Sequence, residues 1–154
     1  MSEKKILFVG IGNRFKGDDG FGVVLTQRLN NYKKENLFFI QCEEVPENYL
    51  IKIVELQPDV VVFVDTIYGK DLSPGKILLL EEVNSFLSIS THAGSLKTII
   101  EFLKLQGLNF KSYVLGVVPE NVDLGEGVSP GVERAINEIT HNFHHYLEKF
   151  LSDD

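Results

Sequence analysis

Tryptophan is absent from this 154-residue sequence, and cysteine and methionine occur once each. A lone cysteine, Cys42, excludes an internal disulfide framework and suits a reducing compartment. No apolar run approaches the roughly 18–20 residues that a membrane-spanning helix requires. The lysines of "MSEKKILFVG" precede an apolar stretch shorter than the about 7–15 residues of a secretory signal core, and no small-residue cleavage site follows. A first strand is expected there instead. Cations are also in short supply: 15 Lys and Arg stand against 22 Asp and Glu, for a net charge of −7, and no basic block occurs. Nucleic acids and anionic membranes are bound by neutralising their phosphates, so neither is an expected partner. The expectation is a cytoplasmic monomer.

What is present is an alternation of two periodicities. "KKILFVG" (Lys4–Gly10), "LFFIQCEE" (Leu37–Glu44), "DVVVFVDTI" (Asp59–Ile67), "GKILLLEE" (Gly75–Glu82) and "SYVLGVVPE" (Ser112–Glu120) read as strands. The continuous Val/Phe run of the third implies burial on both faces, as in the middle of a parallel sheet. Helical spacing marks Phe21–Tyr32, a segment opened by Pro46 and stopped by Pro58, Gly94–Gly107, and Ser129–Leu151 with Ser129 as N-cap and Pro130 at the first helical position. Strands alternating with helices define an α/β protein, and no linker or repeat divides residues 1–154. The fold class is a single-domain three-layer α/β/α sandwich with a mostly parallel twisted sheet. The "LSPG" turn is short for a parallel crossover, which leaves room for an antiparallel edge strand.

The stretch "GIGNRFKGDDGFGV" (Gly10–Val23) resembles a phosphate loop only superficially. Phe15 stands where the third glycine of a dinucleotide fingerprint belongs, so close approach of helix to strand is not expected there, and Gly17 comes two residues too late. Two carboxylates, Asp18 and Asp19, occupy a helix start where a phosphate site wants N–H groups and positive charge. "GIGN" is expected to make a tight bend, with Asn13 bonding the loop backbone. Sites of open α/β sheets gather outside the carboxyl ends of the strands. Asp18 and Asp19 follow strand one there, Asp65 ends strand three, and His92 in "STHAG" precedes a helix. Each has a bland alternative: Asp18 as the helix N-cap, Asp19 as a favourable charge at the helix dipole, Asp65 as a turn residue, His92 as an ordinary hydrogen-bonded histidine. Taken together, two carboxylates and an imidazole suit a divalent transition metal with positions left for water or substrate. A rival set, His141, His144 and His145, lies on the last helix. It lacks the glutamate of the thermolysin-type motif, Asn142 standing in that place. Cys42 has no flanking base and is expected to be a buried thiol.

The segments "GIGNRFKGDDGFGV", "VPENYLIKIVELQPDVVVFVDTIYGKDLSPGKI", "STHAGSLKTIIEFL" and "GVVPENVDLGEGVSPGVERAI" together resemble the hydrogenase maturation endopeptidases, most nearly the branch that processes hydrogenase 3-type, formate-hydrogenlyase large subunits. The resemblance covers most of the chain in order. It implies an α/β/α fold and removal of a C-terminal extension from the precursor of a nickel–iron hydrogenase large subunit. It implies a site of two acidic residues and a histidine, falling on Asp19, Asp65 and His92. Family members vary between Asp and Glu at the position of Asp19. Nickel, carried by the substrate and held weakly by the free enzyme, is the implied metal. The nucleophile is unassigned; an activated water is the natural candidate, since no serine or cysteine is placed for covalent attack. Two other classes are weighed beside this peptidase: a non-catalytic metal-sensing chaperone for the same precursor, and a nucleotide-binding α/β protein.

Overall fold

The computed structural model describes residues 4–32, 34–81 and 92–152. Five strands form one sheet: β1 (Ile6–Ile11), β2 (Leu37–Glu43), β3 (Val60–Thr66), β4 (Ile77–Glu81) and β5 (Lys111–Val117), in the order β2-β1-β3-β5-β4. Among the described residues the helices are α1 (Phe21–Leu29), α2 (Leu50–Leu56), α3 (Ala93–Leu105), α4 (Pro130–His141) and α5 (Phe143–Leu151). Single 3-10 turns at Gly17–Gly20 and Pro46–Tyr49 lead into α1 and α2. Residues 82–91, which include Ser90 and Thr91 of the "STHAG" motif, lie outside the described residues.

The apolar strands divide their side chains between two cores, as a period of two requires. Ile6, Phe8, Val60, Val62, Val64 and Leu115 face α1, α4 and α5 on one side. Leu7, Val9, Val61, Phe63 and Val114 face α2 and α3 on the other. Every residue of β1 and β3 is buried, which is why neither strand shows alternation in its sequence. β1, β2, β3 and β5 are parallel, and β4 pairs antiparallel with β5 at the edge. The connection Ile67–Lys76 contains no helix to carry the chain back across the sheet. β4 therefore starts at the edge where β3 finished and must run the opposite way.

Two expected elements differ. The helix expected over Ser129–Leu151 is interrupted at Asn142 (φ −107°, ψ 25°). Near the break, the Thr140 hydroxyl donates to the Ile136 carbonyl at 3.0 Å and Asn142 Nδ2 to the Glu138 carbonyl at 3.2 Å. Side chains competing in this way for helix carbonyls loosen the last turn. The other is a close contact of helix and strand at a position that the sequence did not mark. It is made by Gly22, not by the fingerprint position: a Cβ on Gly22 would sit 2.2 Å from the Val64 carbonyl oxygen and 2.5 Å from that of Ile11. Glycine at this point lets α1 rest directly on the backbones of β1 and β3.

Candidate active site at the carboxyl edge of the sheet

The chain leaves β1 for β2 on one side and returns to β3 on the other, so strand order reverses between β1 and β3. The carboxyl end of such a switch point is where open α/β sheets bind their ligands. The predicted site residues surround it.

After β1 the backbone turns sharply at Gly12 (φ +135°), where any Cβ would fall 1.9 Å from the Asp19 carbonyl oxygen. The Asn13 side chain then accepts the Phe15 N–H at 2.8 Å, the expected bond to the loop backbone. The Asn13 N–H in turn donates to Asp19 Oδ2 at 2.8 Å. The tight bend therefore serves to hold the Asp19 carboxylate, half-buried, over the end of β1.

Asp18 is not the helix cap that its position suggested. Gly20 occupies that place, and Asp18 lies within the preceding 3-10 turn, fully buried. Its carboxylate reaches across to the loop between β5 and α4. It accepts N–H groups of Glu120 at 2.8 Å, Asn121 at 3.0 Å and Ser129 at 2.6 Å, and the Ser129 hydroxyl at 2.8 Å. Burial by itself would raise its pKa, but these donors together hold it below the usual carboxylate range. Ser129 stands at the N-cap position of α4 with extended backbone, yet its hydroxyl is committed to Asp18 and makes no cap bond. Asp18 thus clips two loops together and is spoken for structurally. Its neighbour Asp19, only half-buried, accepts the Asn13 N–H.

Asp65 continues the face of β3 that carries Val61 and Phe63, and it is completely buried. On that face it meets the start of α3, where His92 occupies the N-cap position. The Thr66 N–H donates to Asp65 Oδ1 at 2.8 Å, and His92 Nδ1 lies 2.8 Å from Asp65 Oδ2. The hydrogen bond to Asp65 raises the His92 pKa. Burial opposes the rise, and the charges of Asp65, Asp19 and Glu44 add to it. Tyr68, two residues beyond β3, reports the same field. Burial pushes its phenol up first and the Asp19 carboxylate adds to it; a hydrogen bond with the Thr66 side chain opposes the rise, and Asp65 and Asp18 reinforce it. The phenol therefore remains a protonated donor at neutral pH beside an anionic cleft. Sequence reasoning passed over Tyr68; the available signal was its place three residues after Asp65 on a strand-end loop.

The structure thus puts Asp65 and His92 in direct contact, and Asp19 within electrostatic reach of His92. Among the described residues no three His, Cys, Asp or Glu side chains are gathered closely enough to hold a metal ion. His141, His144 and His145 are exposed, and the single helix expected to carry all three is broken at Asn142. Cys42 is a buried thiol with its pKa pushed up to about 12 by burial, as its apolar strand implied.

A five-stranded α/β/α sandwich with carboxylates and an imidazole at its switch point defines an α/β protein with an anionic cluster at the carboxyl edge of its sheet. The comparisons with known proteins narrow that class. The model of the hydrogenase maturation protease family HycI matches residues 23–144, and the chain belongs to that family. A Methanocaldococcus jannaschii protein carrying the family's name is 30% identical over 148 residues, covering 88% of this chain and 86% of its own. The hydrogenase 3 maturation protease of Escherichia coli is 31% identical over 96 residues, 61% of each chain. The crystal structure of the [NiFe] hydrogenase maturation protease HycI from Thermococcus kodakarensis superposes with a TM-score of 0.81 at 28% identity, covering 96% of this chain and 94% of that one. Membership makes the chain an enzyme, a protease of hydrogenase maturation. Among the described residues no helix is long and apolar enough to cross a membrane.

Proposed function

We propose that this protein is an endopeptidase that removes the C-terminal extension from a nickel–iron hydrogenase large-subunit precursor in the cytoplasm, after nickel has been inserted. The observation that carries the reading is the contact between Asp65 and His92 at the switch point, with Asp19 adding negative charge from the neighbouring loop. A cleft of that sign attracts a cation. Nickel is the cation that a mature precursor brings with it, so it is part of the substrate. His92 is held through Nδ1 by Asp65, which leaves Nε2 as the nitrogen that Asp65 does not engage. A carboxylate on one ring nitrogen fixes the orientation of the other toward a metal. Asp19, fixed by the Asn13 N–H, supplies charge and an oxygen donor on the opposite side of the switch point. The anionic groups make nickel-free precursor a poorer ligand, because like charges then face each other without a cation between them. Nickel held there would supply Lewis acidity, and a water deprotonated with its help or by a carboxylate would add to the scissile carbonyl, the C–N bond breaking as the departing amine takes up the proton.

The test is mass spectrometry of a purified large-subunit precursor, with and without nickel, before and after incubation with the protein. Loss of the tail from the nickel form only is expected, and no loss with Asp19→Asn or Asp65→Asn. Equal cleavage of both precursor forms would overturn recognition through nickel. Full activity of either variant would overturn the assigned residues. Binding of nickel precursor with the tail left intact would instead favour a metal-sensing chaperone.

A further inference from the structure

Eight large apolar side chains are exposed among the described residues, and four of them share one region. Phe15 (54% exposed), Val45 (49%), Val122 (40%) and Leu124 (87%) all stand on loops at the carboxyl edge of the sheet, around Asp19. The loops that carry them are fastened to one another. The Gly125 N–H donates to the Phe15 carbonyl at 2.8 Å and the Gly17 N–H to the Gly125 carbonyl at 2.9 Å, as a short parallel bridge. The buried Asp18 carboxylate clamps the same two loops from beneath. Lys16 Nζ lies 3.4 Å from Glu44 Oε1, joining the segment that holds Val45. Phe15, Val45 and Tyr49 further line a cavity of about 340 Å³ together with Glu43 and Glu44. Exposed apolar groups held on such a scaffold form a prepared surface, and contiguous apolar surface rimmed by polar groups marks a binding site. The charge of the rim indicates the partner. The loop 119–128, "PENVDLGEGV", has three carboxylates and no cation. Around the cavity Arg14 and Lys16 offset Glu43 and Glu44, so the acidic excess of the rim comes from the loop 119–128.

We propose that Phe15, Val45, Val122 and Leu124 form the docking platform for the precursor protein, received through an apolar segment flanked by basic side chains. The identity of the partner rests on the function proposed above. The platform lies beside Asp19, so a segment seated on it is held within the site while remaining outside the reacting groups. Binding energy from such remote contacts positions the scissile bond.

The experiment measures two things on the same nickel-loaded precursor: affinity by surface plasmon resonance, and tail removal by mass. Phe15→Ser/Leu124→Ser is expected to weaken binding about ten- to a hundred-fold, as loss of two buried apolar contacts would. Asp123→Lys/Glu126→Lys is expected to slow association most at low salt. Leu105→Ser is the control. Leu105 is 84% exposed but ends α3, which runs from His92 toward the other edge of the sheet. All three variants alter exposed side chains, and an unchanged melting temperature verifies their folding. Wild-type affinity in Phe15→Ser/Leu124→Ser would overturn the platform while leaving the proposed cleavage intact if the tail is lost. Weakened binding in that variant, with no tail removal even by the wild type, would support the platform and overturn the proposed cleavage. No binding by the wild type would overturn both.

Discussion

Asp18 and Asp19 are chemically identical neighbours with opposite employment, and the cause is which donors each meets. Four donors converge on Asp18. Hydrogen bonds to a charged group contribute roughly 1.5–3 kcal/mol each, and removing the acceptor strands the donors. Asp18→Asn is expected to destabilise the protein by about 2–4 kcal/mol, lowering the melting temperature by roughly 5–15 °C. A calorimetric scan within a degree of wild type would contradict the clamp. The sign of the pH effect follows from the lowered pKa. Between the folded and unfolded values the unfolded chain binds the extra proton. The stabilisation is therefore complete above the ordinary Asp value near 3.8 and is lost as pH falls through the lower folded value. Urea midpoints for wild type and Asp18→Asn should converge in strong acid, and a constant gap from neutral to strongly acidic pH would argue against this account. His92 behaves oppositely. Its pKa is raised above 6.5 by Asp65, so its contribution is present below that value and fades as pH climbs through the folded one. Ring-proton NMR of the metal-free protein should show His92 titrating above 6.5. Asp65→Asn should bring it down. An unmoved titration in that variant would disprove the contact.

At the scale of elements, α1 is held against the sheet by the absence of a side chain. Gly22 packs on the Val64 and Ile11 carbonyls, and Gly10 meets the Gly22 carbonyl in return, where a Cβ would lie 2.4 Å from its oxygen. The neighbours of Gly22 are backbone atoms of β1 and β3, and that of Gly10 is backbone of α1, so none can swing aside. Overpacking a core commonly costs about 1–3 kcal/mol, and rigid neighbours place this case at the upper end or beyond. Gly22→Ala is expected to destabilise by about 3 kcal/mol despite alanine's better helix propensity, with an unchanged denaturant slope. A stabilised Gly22→Ala in urea titration would show that α1 does not rest where it is described. The 3-10 turn carrying Asp18 and Asp19 directly precedes this helix. Displacing α1 therefore also displaces both carboxylates, and lost processing is expected to accompany the lost stability.

For the molecule as a whole, an apolar core packs against each face of the sheet. Among the described residues no three His, Cys, Asp or Glu side chains form a ligand cluster. Structural zinc sites, by contrast, use closed four-ligand shells and collapse when stripped. Treatment with EDTA is expected to leave the melting temperature unchanged, and a fall of many degrees would reveal a structural metal.

The sequence by itself determined the layers. β1, β3 and the cores on either side follow from runs such as "VVVFV", because hydrophobic period and run length are local properties that packing has to obey. The short "LSPG" turn likewise foretold the antiparallel β4. Asp18, Asp19, Asp65 and His92 could be placed at the carboxyl edge of the sheet because each follows a strand or opens a helix, and the family resemblance singled out Asp19 from its neighbour. Only the tertiary structure decided what each does with its neighbours. Nothing local in "GDDG" says that Asp18 binds a loop more than a hundred residues away, that Ser129 surrenders its cap bond to it, or that Gly22 rather than a fingerprint glycine brings helix to strand. The pairing of Asp65 with His92 and the fastening of Phe15 beside Leu124 are also contacts between distant segments. They exist only once strand order has brought those segments together, because hydrogen bonds are specified by three-dimensional position and not by residue type.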